Sequence, residues 1–243
     1  MKEWITGRNP VYECLRAGRR HFFRLLIAKG VDEKGRISEI IALGKEKRLS
    51  VERVERLTLN EFSENPQGVA LQASEYPYAD LDAIFALAKQ KNEALFILML
   101  DQVQDPQNLG TLIRSAEVFG VHGLVMPSHR AAGVTPAVVN ASSGASEHLL
   151  IAPDNLAQAI DTIKEQDAWV IGLDMDEENA TPLAKTNLKG PLALVVGSEG
   201  EGLRRLVREK CDLITSIPMR GKVASLNAAV AGSIVLQAAA AVR

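Results

Sequence analysis

The first 75 residues carry short apolar runs whose period switches between two and about 3.6. Asn9-Pro10 ahead of VYECLRAG predicts a helix capped by Asn9, with Pro10 at its first position and Gly18 as its stop. RLLIAK from Arg24 predicts a strand and ISEIIALGKEK from Ile37 a helix. SVERV and GVALQAS predict two further strands. This makes a compact α/β unit near the smallest size that folds alone. SEYPYADLD, with its tyrosines, proline and acidic residues, then predicts a connection between domains.

From Ala94 the apolar runs lengthen. ALFILML is continuously apolar, as a central parallel strand covered on both faces requires. GLVMP, HLLIA, AWVIGLD, PLALVVG and LITSIPM predict further strands. Between them lie the helical patterns LGTLIRSAEVFG, PAVVNASSG, NLAQAIDTIKEQ and LRRLVREK, and SLNAAVAGSIVLQAAAAV follows. Strands alternating with helices predict an α/β fold with a mainly parallel sheet, whose ligands bind beyond the carboxyl ends of the strands. The division expected is a small α/β domain over residues 1–75, a linker over 76–93 and a larger domain over 94–243.

Composition changes this picture little. With 47% hydrophobic and 24% charged residues the chain is globular. Residues 1–75 hold 14 Lys and Arg against 11 Asp and Glu, while the whole chain has net charge −2. A basic portion beside an acidic remainder suits a polyanion-binding module joined to an enzyme, and equally an ordinary solvated surface. Cys14 and Cys211 lie far apart without companions, and the four histidines have no metal-ligand spacing, so neither a disulfide framework nor a metal is expected. AAVAGSIVLQAAAAV is short for a membrane span and carries Ser233 and Gln237, so it reads as a buried interface helix. MKEWITGRNP is polar, no secretory leader is expected, and cytoplasm is the default compartment.

Three segments sit at strand ends. In DPQNLGTLIRSAEVFG (105–120), Leu109, Leu112, Ile113, Ala116 and Phe119 form one apolar helix face, and Arg114 points away from it. On spacing alone, Asn108 is a helix cap and Arg114 a surface arginine. In LVVGSEGEGL (194–203), Gly197, Gly200 and Gly202 follow a buried strand and let backbone N–H groups approach a ligand. The spacing is neither the dinucleotide fingerprint nor a P-loop, which argues against a dehydrogenase. Glu199 and Glu201 would repel a pyrophosphate, so a ligand with cationic character or a backbone-bound adenosine fits better, and a bare strand-to-helix turn remains open. In SIPMRGKVASLNAAVAGSIVL (216–236), a strand end leads through a basic glycine loop to Ser225, a plausible cap for a helix rich in small residues. A serine-hydrolase elbow is absent. Aromatic content of 5% disfavours stacking platforms for single-stranded bases.

In order and spacing these segments resemble the SpoU/TrmH (SPOUT) family of RNA ribose 2′-O-methyltransferases. Asn108, Gly110, Arg114 and Gly120 match its first motif, LVVGSEGEGL its second with Glu199 in the glutamate position, and IPMRGKVASLNAAVA, including Ser225 and Asn227, its third. The N-terminal portion resembles the L30e-like RNA substrate-binding domain of such enzymes, on Gly7, Asn9, Pro10 and the QGV at Gln67–Val69. Some relatives carry a histidine before that QG, where Pro66 stands here.

The resemblance implies a C-terminal SPOUT domain threaded as a trefoil knot, and a homodimer with the knot at its interface. It implies S-adenosylmethionine as co-substrate, no metal, and structured RNA as partner. The layout looks closest to the RlmB-type members, which methylate a guanosine of large-subunit (23S) ribosomal RNA. The same chemistry on transfer RNA, and a non-catalytic RNA-binding or assembly protein on this scaffold, stay open. Arg114 would act at the target ribose, supported by Asn108, Glu199, Ser225 and Asn227. Gly197, Ile217, Met219 and Leu226 would surround the cofactor. Arg16, Arg19, Arg20 and Arg24 are the candidate phosphate contacts.

Overall fold

The computed structural model describes residues 2–128, 133–175, 180–198, 200, 202–222 and 225–243. The chain begins with β1 (Lys2–Thr6), α1 (Arg8–Ala17), β2 (Phe22–Ala28), α2 (Arg36–Glu46), β3 (Ser50–Val54), α3 (Arg56–Asn60) and β4 (Val69–Ser74). It continues with α4 (Leu81–Lys91), β5 (Phe96–Leu100), α5 (Pro106–Val118), β6 (Gly123–Met126), α6 (Pro136–Ala141), β7 (Leu150–Pro153) and α7 (Leu156–Lys164). The last elements are β8 (Trp169–Leu173), β9 (Thr181–Pro182), β10 (Leu192–Val196), α8 (Arg205–Lys210), β11 (Leu213–Ser216) and α9 (Ala228–Ala240). They form two compact units, Met1–Pro77 with Gly133–His148, and Tyr78–Ala132 with Leu149–Arg243.

The first unit is built on a mixed four-stranded sheet of order β1-β4-β2-β3. β4 runs antiparallel to both β1 and β2, and β2 pairs parallel with β3. The cap of α1 lies two residues before Asn9: the Gly7 carbonyl accepts the first helical bond, from Val11 N–H at 3.1 Å. Gly7 is therefore the cap residue, at φ 86°, a conformation closed to most side chains. Gly18 ends the helix in the left-handed conformation, as the sequence predicts. The segment 133–148, distant in sequence, folds into this same unit. Its Glu147 is buried and paired with Arg20, and its Ser146 carbonyl accepts the Tyr76 hydroxyl at 3.0 Å.

The second unit carries a seven-stranded sheet of order β7-β6-β5-β10-β8-β11-β9, and every pairing in it is parallel. The central strands β5 (FILML) and β10 (LALVV) are buried along their whole length, which is why they read as unbroken apolar runs. Leu81–Lys91, within the stretch expected as linker, is instead helix α4. Asp80 caps it, and Leu81, Ile84, Phe85 and Ala88 form a buried stripe at helical spacing. The tyrosine- and proline-containing lead-in hides that period.

Candidate active site

Three loops at the carboxyl ends of β5, β10 and β11 meet in the second unit. Helix α5 begins from Asp105, whose carboxylate accepts the N–H groups of Gln107 at 3.1 Å and Asn108 at 3.3 Å, with Pro106 at the first position. Asn108 is thus not the cap. Its Oδ1 instead accepts Asn227 Nδ2 at 3.0 Å. Asn227 is itself the cap of α9, its Oδ1 accepting Ala229 N–H at 2.9 Å and Val230 N–H at 3.2 Å. Capping turns the Asn227 amide group toward Asn108, so two helix starts are pinned together. Ser225 is displaced from the capping role into the exposed loop before it.

Farther along, α5 and α9 pack closely. A Cβ placed on Gly232 would lie 2.6 Å from the Leu112 side chain, and Ser115 and Ser233 share a hydrogen bond of 2.7 Å. Arg114 stands on the exposed face of α5, opposite buried Leu109, Leu112, Ile113 and Ala116.

After β10 the chain folds into a narrow loop closed by reciprocal backbone bonds of 3.1 Å between Ser198 and Gly202. Gly197 is obligatory there, because a Cβ would fall 2.3 Å from the Gly202 carbonyl carbon. Glu199 and Glu201, on this loop, lie outside the described residues. Two ion pairs staple the far end of the loop. Asp101, fully buried after β5, accepts Arg204 N–H at 2.8 Å and Arg204 Nε at 2.7 Å. Asp174, directly after β8, accepts Arg208 Nη1. The two arginines, four residues apart, thus grip both strands that flank β10.

Gly197, Ile217, Met219 and Leu226 line one cleft, together with Ser198 and Ser225 among others. A second, more polar hollow is lined by Gln102, Gln104, Asp105 and Asn108 and shares Ser198 and Ala228 with the first.

Residues 95–237 match the SpoU rRNA Methylase family, and residues 4–79 match the family described as RNA 2'-O ribose methyltransferase substrate binding. The chain belongs to the SpoU rRNA methylase family. It is 40% identical over 236 residues to YacO of Bacillus subtilis, whose name places it among TrmH-family tRNA/rRNA methyltransferases, covering 96% of this chain and 93% of that one. An uncharacterized tRNA/rRNA methyltransferase of Mycolicibacterium vanbaalenii is 40% identical over 237 residues, covering 96% and 74%. Among solved structures, the SpoU methyltransferase AviRb of Streptomyces viridochromogenes, crystallised with the cofactor AdoMet, aligns with TM-score 0.80 at 25% identity, covering 99% and 89%.

The arginines proposed for RNA in this SpoU-family chain divide sharply. Arg16 is exposed beside Glu13 at 3.4 Å, and Arg24 is exposed in a two-bond pair with Glu52. Arg19 is turned inward, donating to the Tyr76 hydroxyl and to the carbonyls of Glu147 and Pro77. Arg20 is a correction to the sequence reading: its side chain is fully buried, spent on Glu147, Glu3 and the Ser74 carbonyl, and has no face to offer a phosphate. Burial pushes the Cys211 thiol up to about 12 and Cys14 well above its usual range, so neither is a ready nucleophile. Among the described residues no three His, Cys, Asp or Glu side chains gather as a metal site, and no helix is long and apolar enough to cross a membrane.

Sequence reasoning missed Asp101, Asp174, Arg204 and Arg208. The available signal was position: a carboxylate immediately after an apolar strand, in a sheet that binds ligands at that end.

Proposed function

We propose that this chain transfers the methyl group of S-adenosylmethionine to a ribose 2′-hydroxyl of structured RNA, a guanosine of large-subunit (23S) ribosomal RNA. The observation that carries this reading is that Gly197, Ile217, Met219 and Leu226 line a single cleft beside the Asn108–Asn227 bond. The cleft fits an adenosine: Ile217, Met219 and Leu226 offer apolar walls, and side-chain-free Gly197 and Gly202 leave backbone within reach of a base.

When bound, the donor supplies an electrophilic methyl on a sulfonium whose leaving thioether is neutral, so no general acid is required. What the protein must do is position the hydroxyl and favour its oxyanion. Arg114 does this at the target ribose and its phosphate. A guanidinium is already protonated and does not take up the hydroxyl proton, which passes to solvent water as the O–CH3 bond forms and the S–CH3 bond breaks; Arg114 acts by charge and hydrogen bonding. Asn108, Asn227, Ser225 and Glu199 hold the loops around it. The polar hollow next to the cleft is where the target nucleotide would enter.

In the first unit, exposed Arg16 and Arg24 remain phosphate contacts, as the substrate-binding match supports. A second copy of the chain would cover α9, where Val230 and Ile234 lie exposed one turn apart. The placement of β10 between β5 and β8, with β11 beyond β8, is compatible with the knotted crossing. Two free cysteines and an RNA substrate suit the cytoplasm.

The test is to incubate the chain with methyl-labelled S-adenosylmethionine and total RNA lacking the modification, then map the product. A labelled 2′-O-methylguanosine in 23S RNA is expected; label in transfer RNA would move the substrate, and no transfer to any RNA would overturn the enzymatic reading. In parallel, Arg114→Ala is expected to lower transfer by about 100- to 1,000-fold, while calorimetry shows near-normal donor binding.

A further inference from the structure

The first unit holds a polar hollow of its own, between the start of α1, the helix α3 and the turn before β4. Arg8, Arg56, Asn60, Asn65 and Gln67 line it over Leu59 and Pro66, which are both buried. Its rim is tied down. The Pro66 carbonyl accepts Val69 N–H at 3.1 Å within the turn and Gly7 N–H at 3.3 Å from the start of α1. Gln67 stands at φ 52°, a left-handed conformation uncommon for a residue with a side chain, and Gly68 follows at φ 82°. Arg8 holds the turn there: its backbone N–H donates to Gln67 Oε1 at 3.0 Å and its Nε to the Gln67 carbonyl at 3.3 Å. These bonds order the Arg8 side chain in advance and use neither of its terminal nitrogens. Arg56 is exposed and makes no ion pair among the described residues. Backbone strain of this kind gathers at ligand clamps.

Two guanidiniums offer planar forks that match phosphate oxygens, and the single carboxylate on the lining, Glu64, tempers their charge without cancelling it. Asn60 and Asn65 each carry an amide with both donors and an acceptor, the mixture that the edge of a nucleobase presents. Leu59 and Pro66 offer the base an apolar floor. A base inside a duplex has its face stacked and its edge paired, so only an unpaired one can use floor and edge together. All of these residues fall within the stretch 4–79 that matches the substrate-binding family. We propose that the hollow takes one unpaired nucleotide of the RNA, with its phosphate on Arg8 and Arg56 and its base over Leu59 and Pro66, read at the edge by Asn60 and Asn65.

This inference rests on RNA being the substrate. Fluorescence anisotropy on the full chain compares a short, perfectly paired RNA duplex with the same duplex carrying one bulged nucleotide, each of the four bases in turn. At least one bulged duplex is expected to bind about 10-fold more tightly or better, the worth of a hydrogen bond to a charged group. Equal affinity for the paired duplex and every bulged one overturns the proposal. Labelling of total RNA separates the two readings. Methyl transfer beside equal duplex affinities sinks this inference alone, and a bulge preference without methyl transfer sinks the enzymatic reading alone. Arg56→Gln should weaken the preferred bulged duplex about 10-fold and flatten its salt dependence by about one phosphate contact. Asn60→Ala with Asn65→Ala should erase the bulge preference and leave the paired duplex as it was. A preference that survives both changes overturns the proposal. So does polyglutamate competing as strongly as unlabelled bulged RNA, which would give the hollow to an acidic polypeptide. Should a variant fail to fold by thermal melting, the wild-type duplex comparison still decides.

Discussion

Both units set carboxylates against arginines, and the two arrangements do different work. In the first, Arg20 and Glu147 have side chains with no exposed surface, and Arg20 bonds both Glu147 oxygens, Glu3 and a backbone carbonyl. In the second, Asp101 and Asp174 stand at the carboxyl ends of parallel strands, while their partners Arg204 and Arg208 remain 47% and 31% exposed. The first pair ties segment 133–148 to the turn before β2 and, through Glu3, to β1. The second set steadies a glycine loop along the candidate cleft. Residue type is the same in both; what separates them is burial and the end of the sheet at which the second set sits.

The largest expected effect attacks the buried pair. Glu147→Ala leaves the Arg20 guanidinium buried without its two-bond partner and is expected to cost about 3–5 kcal/mol of stability, read by urea denaturation of the full chain. Replacing both together, Arg20→Met with Glu147→Leu, should recover most of that loss, because the desolvation of two ions disappears along with their attraction. A single variant within about 0.5 kcal/mol of the wild type, the scatter of an ordinary surface substitution, would dissolve the contrast between the units.

A middle-sized effect tests the pinned helix starts. Asn227→Ala removes the cap of α9 and is expected to cost about 1–2 kcal/mol. If the bond to Asn108 couples the two helices, Asn108→Ala and Asn227→Ala will be non-additive by more than about 0.5 kcal/mol in a double-mutant cycle on thermal or urea stability. Strict additivity would mean that each asparagine serves its own helix alone.

These residues also show what the sequence discloses. The unbroken apolar runs at β5 and β10, the left-handed stop at Gly18 and the small-residue face of α9 were legible, because each follows from a local period or a single backbone conformation. The caps were not. Asn9, Asn108 and Ser225 each lay within three residues of the true cap, Gly7, Asp105 or Asn227. A shift of one turn leaves the apolar period unchanged, so propensity cannot choose between neighbouring polar residues. Arg20 was misread for a different reason: its partner Glu147 lies 127 positions away, and charge patterning carries no information about so distant a contact. The residues expected around a cofactor do fall on one cleft, since Gly197, Ile217, Met219 and Leu226 were chosen together from motifs whose common place is the end of a parallel sheet.

The smallest effect asks whether the contrast belongs to the unit or to the end of the sheet. His122 lies in the second unit but just before β6, at the opposite end of the sheet from the cleft, and is 1% exposed. Its Nδ1 accepts Phe96 N–H at 3.0 Å, which fixes the neutral tautomer with the proton on Nε2, donated to Glu93 at 3.0 Å. Burial holds its pKa below the ordinary 6.5, against the opposing pull of Glu93. The unfolded chain therefore binds this proton first as pH falls. Stability from His122 is fully present above about pH 6.5 and is lost as pH drops from there through the folded-state value. A thermal melt series from pH 8 to 5 should show that loss in the wild type and less of it in His122→Asn, where the amide oxygen can accept the same Phe96 N–H without titrating. Across the range where the chain stays folded, donor affinity in the variant should match the wild type. If His122→Asn instead weakens the donor, a buried polar group far from the carboxyl ends does reach the cleft, and position along the strands would no longer separate the two kinds of charge.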